Sequence, residues 1–310
     1  MRRTSIILIL FFVGLVSCKQ NKQEKEHTTS EKLEFTKIIK DDYELYKPNK
    51  EAKAVLILFG GYPETAEDIK REFKILDIAR KNNIAVLLSN FNQKLWLEED
   101  EKQKLAEQLQ NIFLDYKLPK DAIYIGGFSS GGNVSLLISS FLIESNNFLI
   151  KPSGVFIADS PIDLIGLYRS SEKNIKRNFS EVSVTESNWI IEHLEENFGN
   201  PTKNIVNYEN SAVFTSQTNA INNLKSLKNI KIRLYTEPDT IWWRENRMED
   251  YDQTNAYYIK RLSEALEKSG FDKVEYIPTE NMGFRANGER HPHSWSIVDK
   301  NDLMNWILTK

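Results

Sequence analysis

Ser129 sits in the run Asp121–Ser139, DAIYIGGFSSGGNVSLLIS, with one glycine two residues before it and another two residues after it. A serine hydroxyl is a poor nucleophile until a base takes its proton and donors stabilise the oxyanion that its attack creates. The surrounding pattern supplies part of that. Ala122–Ile125 is an apolar, partly β-branched run that reads as a strand, and Gly126–Gly132 is a glycine-rich turn. Val134, Leu137, Ile138 and Phe141 then recur at helical spacing. A serine on the turn between them is lifted above the sheet edge. Gly127 and Gly131 leave room where side chains would meet the neighbouring strand and helix. The helix behind Ser129 presents free N–H groups and the positive end of its dipole to the reacting centre, so the Ser130 amide is a natural oxyanion donor. The bland reading of the same residues is a small-residue turn with no chemistry.

A base and an acid must come from elsewhere in the chain. The histidines are His27, His193, His291 and His293. His27 falls in a polar stretch and His193 in a helical one. His291 and His293 lie in RANGERHPHSWSIVD, after the last strand-like run, Val274–Ile277. A His-x-His pair can ligate a metal, but no third ligand is evident, so no metal is expected. Two pairs of acids follow strand-like runs: Asp159 and Asp163 after Gly154–Ala158, and Glu237 and Asp239 after Ile230–Tyr235. Asp159 or Asp163 could bind substrate or act as partner to the base, and Asp163 equally suits the cap of a following helix.

The elements that must position these residues alternate along the chain. Glu34–Tyr46 alternates loosely and reads as two strands, an antiparallel pair joined near Lys40-Asp41. Ala54–Phe59 and Ile84–Leu88 are continuous apolar runs, as expected of strands buried on both faces. Thr65 with Asp68 resembles a capping box opening a helix to about Lys81, and Glu98–Tyr116 is a second helix with an acidic start. Strands alternating with helices imply a parallel sheet built from right-handed crossovers. Between about residues 164 and 229 no strong strand occurs. Val184–Phe198 and Ser211–Leu224 read as helical there, and Trp189, Phe198, Tyr208 and Phe214 are divided between a pocket and packing. Asp252–Ser269 reads as a helix with Gly270 at its end.

Gly127-Phe128-Ser129-Ser130-Gly131, in its strand–turn–helix setting, resembles the nucleophile elbow of the α/β-hydrolases. Phe59-Gly60-Gly61-Tyr62 resembles that family's HGG-type oxyanion loop, with Phe59 in place of the histidine. His293-Ser294-Trp295, followed by the apolar helix of Leu303, Met304, Trp306 and Ile307, resembles the H-x-W ending of several α/β-hydrolase esterase families. The resemblance runs over about residues 34–310. It implies an α/β fold with a mostly parallel sheet of about eight strands flanked by helices, forming a domain over 33–310 with a helical cap insertion at about 164–229. It implies Ser129 as nucleophile and His293, in preference to His291, as base. Asp239 is the implied acid, with Glu237 or Asp163 as substitutes. The oxyanion donors would be the amides of Ser130 and of Gly61 or Tyr62, and Trp242, Trp295 and Asp159 would contact substrate. The implied reaction is hydrolysis of a small carboxylic ester through an acyl-enzyme, without a cofactor. A serine peptidase or amidase of the same fold, and a non-catalytic binding lipoprotein, are the alternatives.

The first residues carry a separate resemblance. Arg2 and Arg3 precede the apolar run Ile6–Val16, which is short for a membrane span, and Leu15-Val16-Ser17-Cys18 follows. This is similar to a bacterial lipoprotein signal ending in a lipobox. It implies cleavage after residue 17, lipid on Cys18, a flexible tether over 18–32, and a protein exported to the bacterial cell envelope and held to a membrane by that lipid. Cys18 is the one cysteine, so no intramolecular disulfide can form. The net charge is −3 and lysines and glutamates are interspersed, which leaves no footprint for nucleic acid.

Overall fold

The computed structural model describes residues 34–91 and 94–309. The expected signal segment, Cys18 and the tether with His27 lie outside the described residues.

The first strands are β1 (Phe35–Ile39), β2 (Tyr43–Pro48) and β3 (Ala54–Phe59), followed by helices α1 (Ala66–Phe73) and α2 (Leu76–Lys81). Strand β4 (Ile84–Ser89), helix α3 (Glu99–Asp115), strand β5 (Ile123–Phe128), helix α4 (Ser130–Glu144) and strand β6 (Gly154–Ala158) alternate as expected. Helices α5 (Leu164–Arg177), α6 (Glu181–Phe198) and α7 (Ile205–Ser211) fill the insertion before β7 (Lys231–Thr236). Helices α8 (Thr240–Arg247) and α9 (Asn255–Lys268), strand β8 (Val274–Pro278) and helix α10 (Lys300–Leu308) complete the chain.

All eight strands form one sheet in the order β1-β2-β4-β3-β5-β6-β7-β8. The pairs from β4 to β8 across that order are parallel, whereas β1–β2 and β2–β4 are antiparallel. The continuous apolar runs are explained by helices on both faces. Val55, Ile57 and Phe59 of β3 pack with α3, α4 and α9, while Leu56 and Leu58 pack on the opposite face with α1, α2 and α10. Fully burying one such side chain stabilises the fold by roughly 1.5–3 kcal/mol.

Register brings the chemistry together. Phe59 pairs with Gly127, Phe128 with Ala158, Ala158 with Tyr235, and Thr236 with Pro278. The loops after β3, β5, β6, β7 and β8 therefore emerge at one edge, where sites of open α/β sheets are built.

Two local expectations change. The helix expected to run to Lys81 is interrupted, because Lys74 takes a left-handed conformation (φ 51°) that ends α1 before α2 begins. Ser211–Leu224 is not a helix. The Asn223 side chain donates to the carbonyls of Glu209, Asn210 and Ala212, and Thr215 bridges to Ala220, so the chain turns instead. Trp242 and Trp243 belong to α8.

Candidate active site

Ser129 joins β5 to α4 with φ 52° and ψ −130°, a conformation that a non-glycine residue adopts at a cost of about 1–3 kcal/mol. Close packing holds it there. A Cβ on Gly127 would come within 2.1 Å of the Gly131 carbonyl oxygen, and a Cβ on Gly131 within 2.3 Å of the Phe59 carbonyl oxygen. The two glycines that frame the serine thus let α4 sit against β3 and β5. The Ser129 N–H donates to the Ala158 carbonyl at 2.9 Å, which ties the turn to β6. Ser129 lines a cavity of about 340 Å³ together with His291, His293 and Arg285. Helices α5 and α6 of the insertion form part of its wall, through residues such as Asn174 and Trp189.

His293 is the second element. Its Nδ1 lies 2.6 Å from Asp159 Oδ2, and its ring packs on Phe128 with centroids 4.5 Å apart. A carboxylate is acceptor-only, so Nδ1 carries the proton and Nε2 is left as the basic nitrogen. Asp159 is itself fixed. Its backbone has φ 45°, Thr236 Oγ1 donates to Oδ1 at 2.6 Å, and the Asn255 side chain donates to its carbonyl at 2.9 Å. His291 supports rather than duplicates this. Its Nδ1 accepts from the His293 amide at 3.2 Å, and its ring lies against Trp242 and Trp243. Burial, then the charges of His293, Arg285, Arg247 and Arg290, pushes the His291 imidazole down to about 3, so it is a neutral acceptor at neutral pH.

The acid expected to hold the base was Asp239, and the structure places it elsewhere. Asp239 caps α8 by accepting from the Trp242 amide at 2.9 Å, and its other oxygen accepts from Arg290 at 2.7 Å. No hydrogen bond joins it to His293 among the described residues. Glu237, the first substitute, is buried and accepts from the amides of Met282 and Gly283 at 3.0 and 2.8 Å and from Arg290. Asp163, the second, caps α5 through the Gly166 amide at 2.9 Å and accepts from the Ser216 amide at 2.8 Å. Asp159, expected to touch substrate or to stand in as the acid, is the carboxylate that meets His293.

The oxyanion loop is also more closely constrained than its pattern suggested. Gly61 lies directly against Ser129, since a Cβ there would be 2.8 Å from Ser129 Cβ. Its amide, however, donates to Glu64 Oε2 at 3.0 Å. The Tyr62 amide donates to the Ser130 hydroxyl at 3.0 Å. Of the three residues expected to supply donors, Gly61 is thus committed within its own loop, and Tyr62 and Ser130 meet beside the serine. The first amides of a helix have no intrahelical acceptor, which leaves the Ser130 N–H for a ligand.

Two of the residues expected to contact substrate do something else. Trp295 is 1% exposed, stacks on Phe73 and donates to Glu64 at 3.0 Å. Trp242 packs on His291, and it is its neighbour Trp243 that lines the cavity. In the insertion, Trp189 faces the cavity and stacks on Tyr62, whereas Phe198, Tyr208 and Phe214 are core. His193 stacks on Trp189. Glu64 and Asn255 were not anticipated. Asn255 had no motif around it, and Glu64 was hidden beside the more conspicuous cap formed by Thr65 and Asp68. Among the described residues, no group of three or more His, Cys, Asp or Glu side chains could hold a metal ion, and no helix is long and apolar enough to cross a membrane.

A strained serine, an imidazole steered by a carboxylate and a free amide at the start of a helix are parts that nucleophilic acyl chemistry requires. No family model matches the chain, and no curated protein matches its sequence. Solved structures do match. An esterase/lipase from an uncultured bacterium has a TM-score of 0.53 at 13% identity, over 90% of this chain and 86% of that one. S-formylglutathione hydrolase from Staphylococcus aureus gives 0.51 at 10% identity, over 89% of this chain and 99% of that one. The Francisella virulence factor BioJ gives 0.51 at 14% identity, over 89% of this chain and 84% of that one. With the sheet order and the crossovers described above, these likenesses identify the architecture: the chain has the α/β-hydrolase fold.

Proposed function

We propose that the chain is a serine hydrolase that cleaves small carboxylic esters through an acyl-enzyme. The observation that carries this reading is the 2.6 Å contact between His293 Nδ1 and Asp159, at the same cavity that holds the strained Ser129. In this mechanism His293 Nε2 takes the Ser129 proton as Oγ attacks the ester carbonyl. The carbonyl electrons move to oxygen, and the Ser130 amide at the start of α4 stabilises that oxyanion. The imidazolium, steadied by Asp159, returns its proton to the departing alcohol. Water then attacks the acyl-enzyme with His293 again as base, and Ser129 recovers its proton as the acid leaves. Each residue named is supplied by this chain, so the scheme requires no cofactor.

The export signal and lipid on Cys18 belong to the same proposal, which would tether this enzyme to a membrane of the bacterial cell envelope. Incorporation of labelled palmitate that disappears in Cys18→Ala tests that part. The hydrolase itself is tested by turnover of p-nitrophenyl acetate and butyrate. Purified wild type should release p-nitrophenol with saturable kinetics, and folded Ser129→Ala and His293→Ala proteins should not. Undiminished turnover by Ser129→Ala would remove Ser129 from the mechanism.

A further inference from the structure

The cavity that holds Ser129 also carries polar groups that the proposed chemistry does not use. Ser187 of α6 lines it and is 3% exposed, and its hydroxyl makes no hydrogen bond among the described residues. Glu249, just after α8, lines it as well. A carboxylate has about four acceptor sites. Among the described residues this one has a single hydrogen-bond donor, the Asn174 side chain at 3.3 Å. That amide is itself held, since Asn174 Oδ1 accepts from Gln253 and from Arg177, each at 3.1 Å. Burial pushes the Glu249 carboxyl up, against the Asn174 hydrogen bond and the charges of Arg177 and Arg247, and the Glu186 charge adds to the rise.

Both signs of charge line this cavity. Glu186 and Glu249 are acidic, and Lys94, Arg247 and Arg285 are basic. Lys94 is paired with Glu101. The side chains of Arg247 and Arg285 donate no hydrogen bond among the described residues, and Arg285 lies over the Phe128 ring at 6.0 Å. The signs are intermixed, because Glu249 feels Arg247 and Glu186 together. An anionic ligand would therefore meet the two carboxylates, and a cationic one the two guanidinium groups. A hydroxyl both donates and accepts, so it can bond to either kind. Flat apolar surface lies beside these groups. Tyr62 is 60% exposed and Trp189 48%, and they stack at 6.1 Å with their planes 14° apart on the cavity wall. Four aliphatic residues, Leu95, Pro161, Leu167 and Ile190, share the lining. A ligand with apolar faces and hydroxyl edges is complementary to such a wall. A plain alkyl chain would strip water from Ser187 and Glu249 without replacing its hydrogen bonds.

We propose that the alcohol half of the substrate is neutral and hydroxyl-rich, a sugar or a similar ring polyol, whose hydroxyls hydrogen-bond to Glu249 and Ser187. This rests on the esterase reading and names the alcohol that reading leaves open. A site built to hydrogen-bond a substrate hydroxyl discriminates against an analogue without it, because the site's own polar groups are then left unpaired. A hydrogen bond to a charged acceptor weighs more than one between neutral groups, so Glu249 should weigh more than Ser187.

The experiment measures kcat/KM by acetate release from 6-O-acetyl-glucose, hexyl acetate and acetylcarnitine in wild type, Glu249→Leu and Ser187→Ala. Wild type should favour the sugar acetate over hexyl acetate by at least about tenfold. That ratio should fall about tenfold or more in Glu249→Leu and roughly threefold in Ser187→Ala. A wild type that prefers hexyl acetate, or an unchanged ratio in folded Glu249→Leu, would overturn the proposal. So would a preference for acetylcarnitine, since the cavity would then be reading paired charges rather than hydroxyls. If Glu249→Leu fails to fold, Ser187→Ala decides, and an unchanged ratio there overturns the proposal. The two readings fail apart. Wild type inactive on all three acetates and on p-nitrophenyl acetate would end the esterase reading and this one with it. Turnover of p-nitrophenyl acetate without preference for the sugar acetate would end this one alone.

Discussion

At the end of β6, Asp159 turns through a left-handed backbone conformation and delivers its carboxylate to His293. At the end of β7, Glu237 and Asp239 deliver theirs to Arg290, to the amides of Met282 and Gly283, and to the start of α8. Both strand ends carry acids, and both face the same segment after β8. The difference lies in what that segment puts opposite each. Arg290 and two backbone amides meet the β7 acids, so those acids anchor the loop. His293 meets the β6 acid, so that acid orients an imidazole. The carboxylates at β7 hold in place the loop that the carboxylate at β6 uses. Asp159 is also fed by Thr236 Oγ1 from β7, which links the two ends directly.

Breaking the comparison at the reacting group should have the largest effect. Ser129→Ala should lower kcat on activated esters by at least about 10⁴-fold, with unchanged unfolding behaviour, since alanine keeps the Cβ and with it the strain at φ 52°. Asp159→Asn should follow, with a kcat loss of about 10³–10⁴-fold, because the amide favours the wrong imidazole tautomer. Asp239→Asn should lose less than about tenfold in kcat. An equal loss in both asparagine variants, measured on matched folded protein, would erase the distinction drawn here. On the anchoring side, Glu237→Gln removes the charge from a buried acceptor of several hydrogen bonds, and should destabilise the protein by roughly 1–3 kcal/mol in urea unfolding. Its kcat per folded molecule should stay within a few-fold of wild type. The smallest effect concerns His291. Its imidazole is held down at about 3 against an ordinary 6.5, so between those values the unfolded chain binds a proton that the folded chain excludes. Stability is therefore lost as pH falls through that window. His291→Gln should flatten the fall of Tm between pH 6.5 and about 4, and an unchanged slope would remove His291 from the acid response.

Much of the fold was legible because its strands are strongly patterned. β3, β4, β5 and β6 are continuous apolar runs, buried on both faces as such runs require. The elbow was legible because glycine is the one residue that fits where Gly127 and Gly131 approach neighbouring backbone. The acid was less so. Asp159 and Asp239 both follow a strand, and nothing local distinguishes a carboxylate that meets a histidine from one that meets an arginine 51 positions away in sequence. That distinction depends on the conformation of the 279–294 segment, which is set by tertiary contacts. Glu64 was illegible for the same reason, since its partner Trp295 lies 231 positions along the chain. The irregular path through 211–221 escaped the helical pattern because an asparagine side chain, and not the backbone ladder, satisfies its carbonyls.

The central claim is that Asp159, and not Asp239, makes His293 the base that activates Ser129. The most direct measurement is the second-order rate of fluorophosphonate labelling, mapped to Ser129, in wild type, Asp159→Asn and Asp239→Asn. The account predicts that wild type and Asp239→Asn label within about tenfold of each other and that Asp159→Asn is slower by at least about 10²-fold. Fast labelling of Asp159→Asn with slow labelling of Asp239→Asn would contradict it and assign the acid to the end of β7.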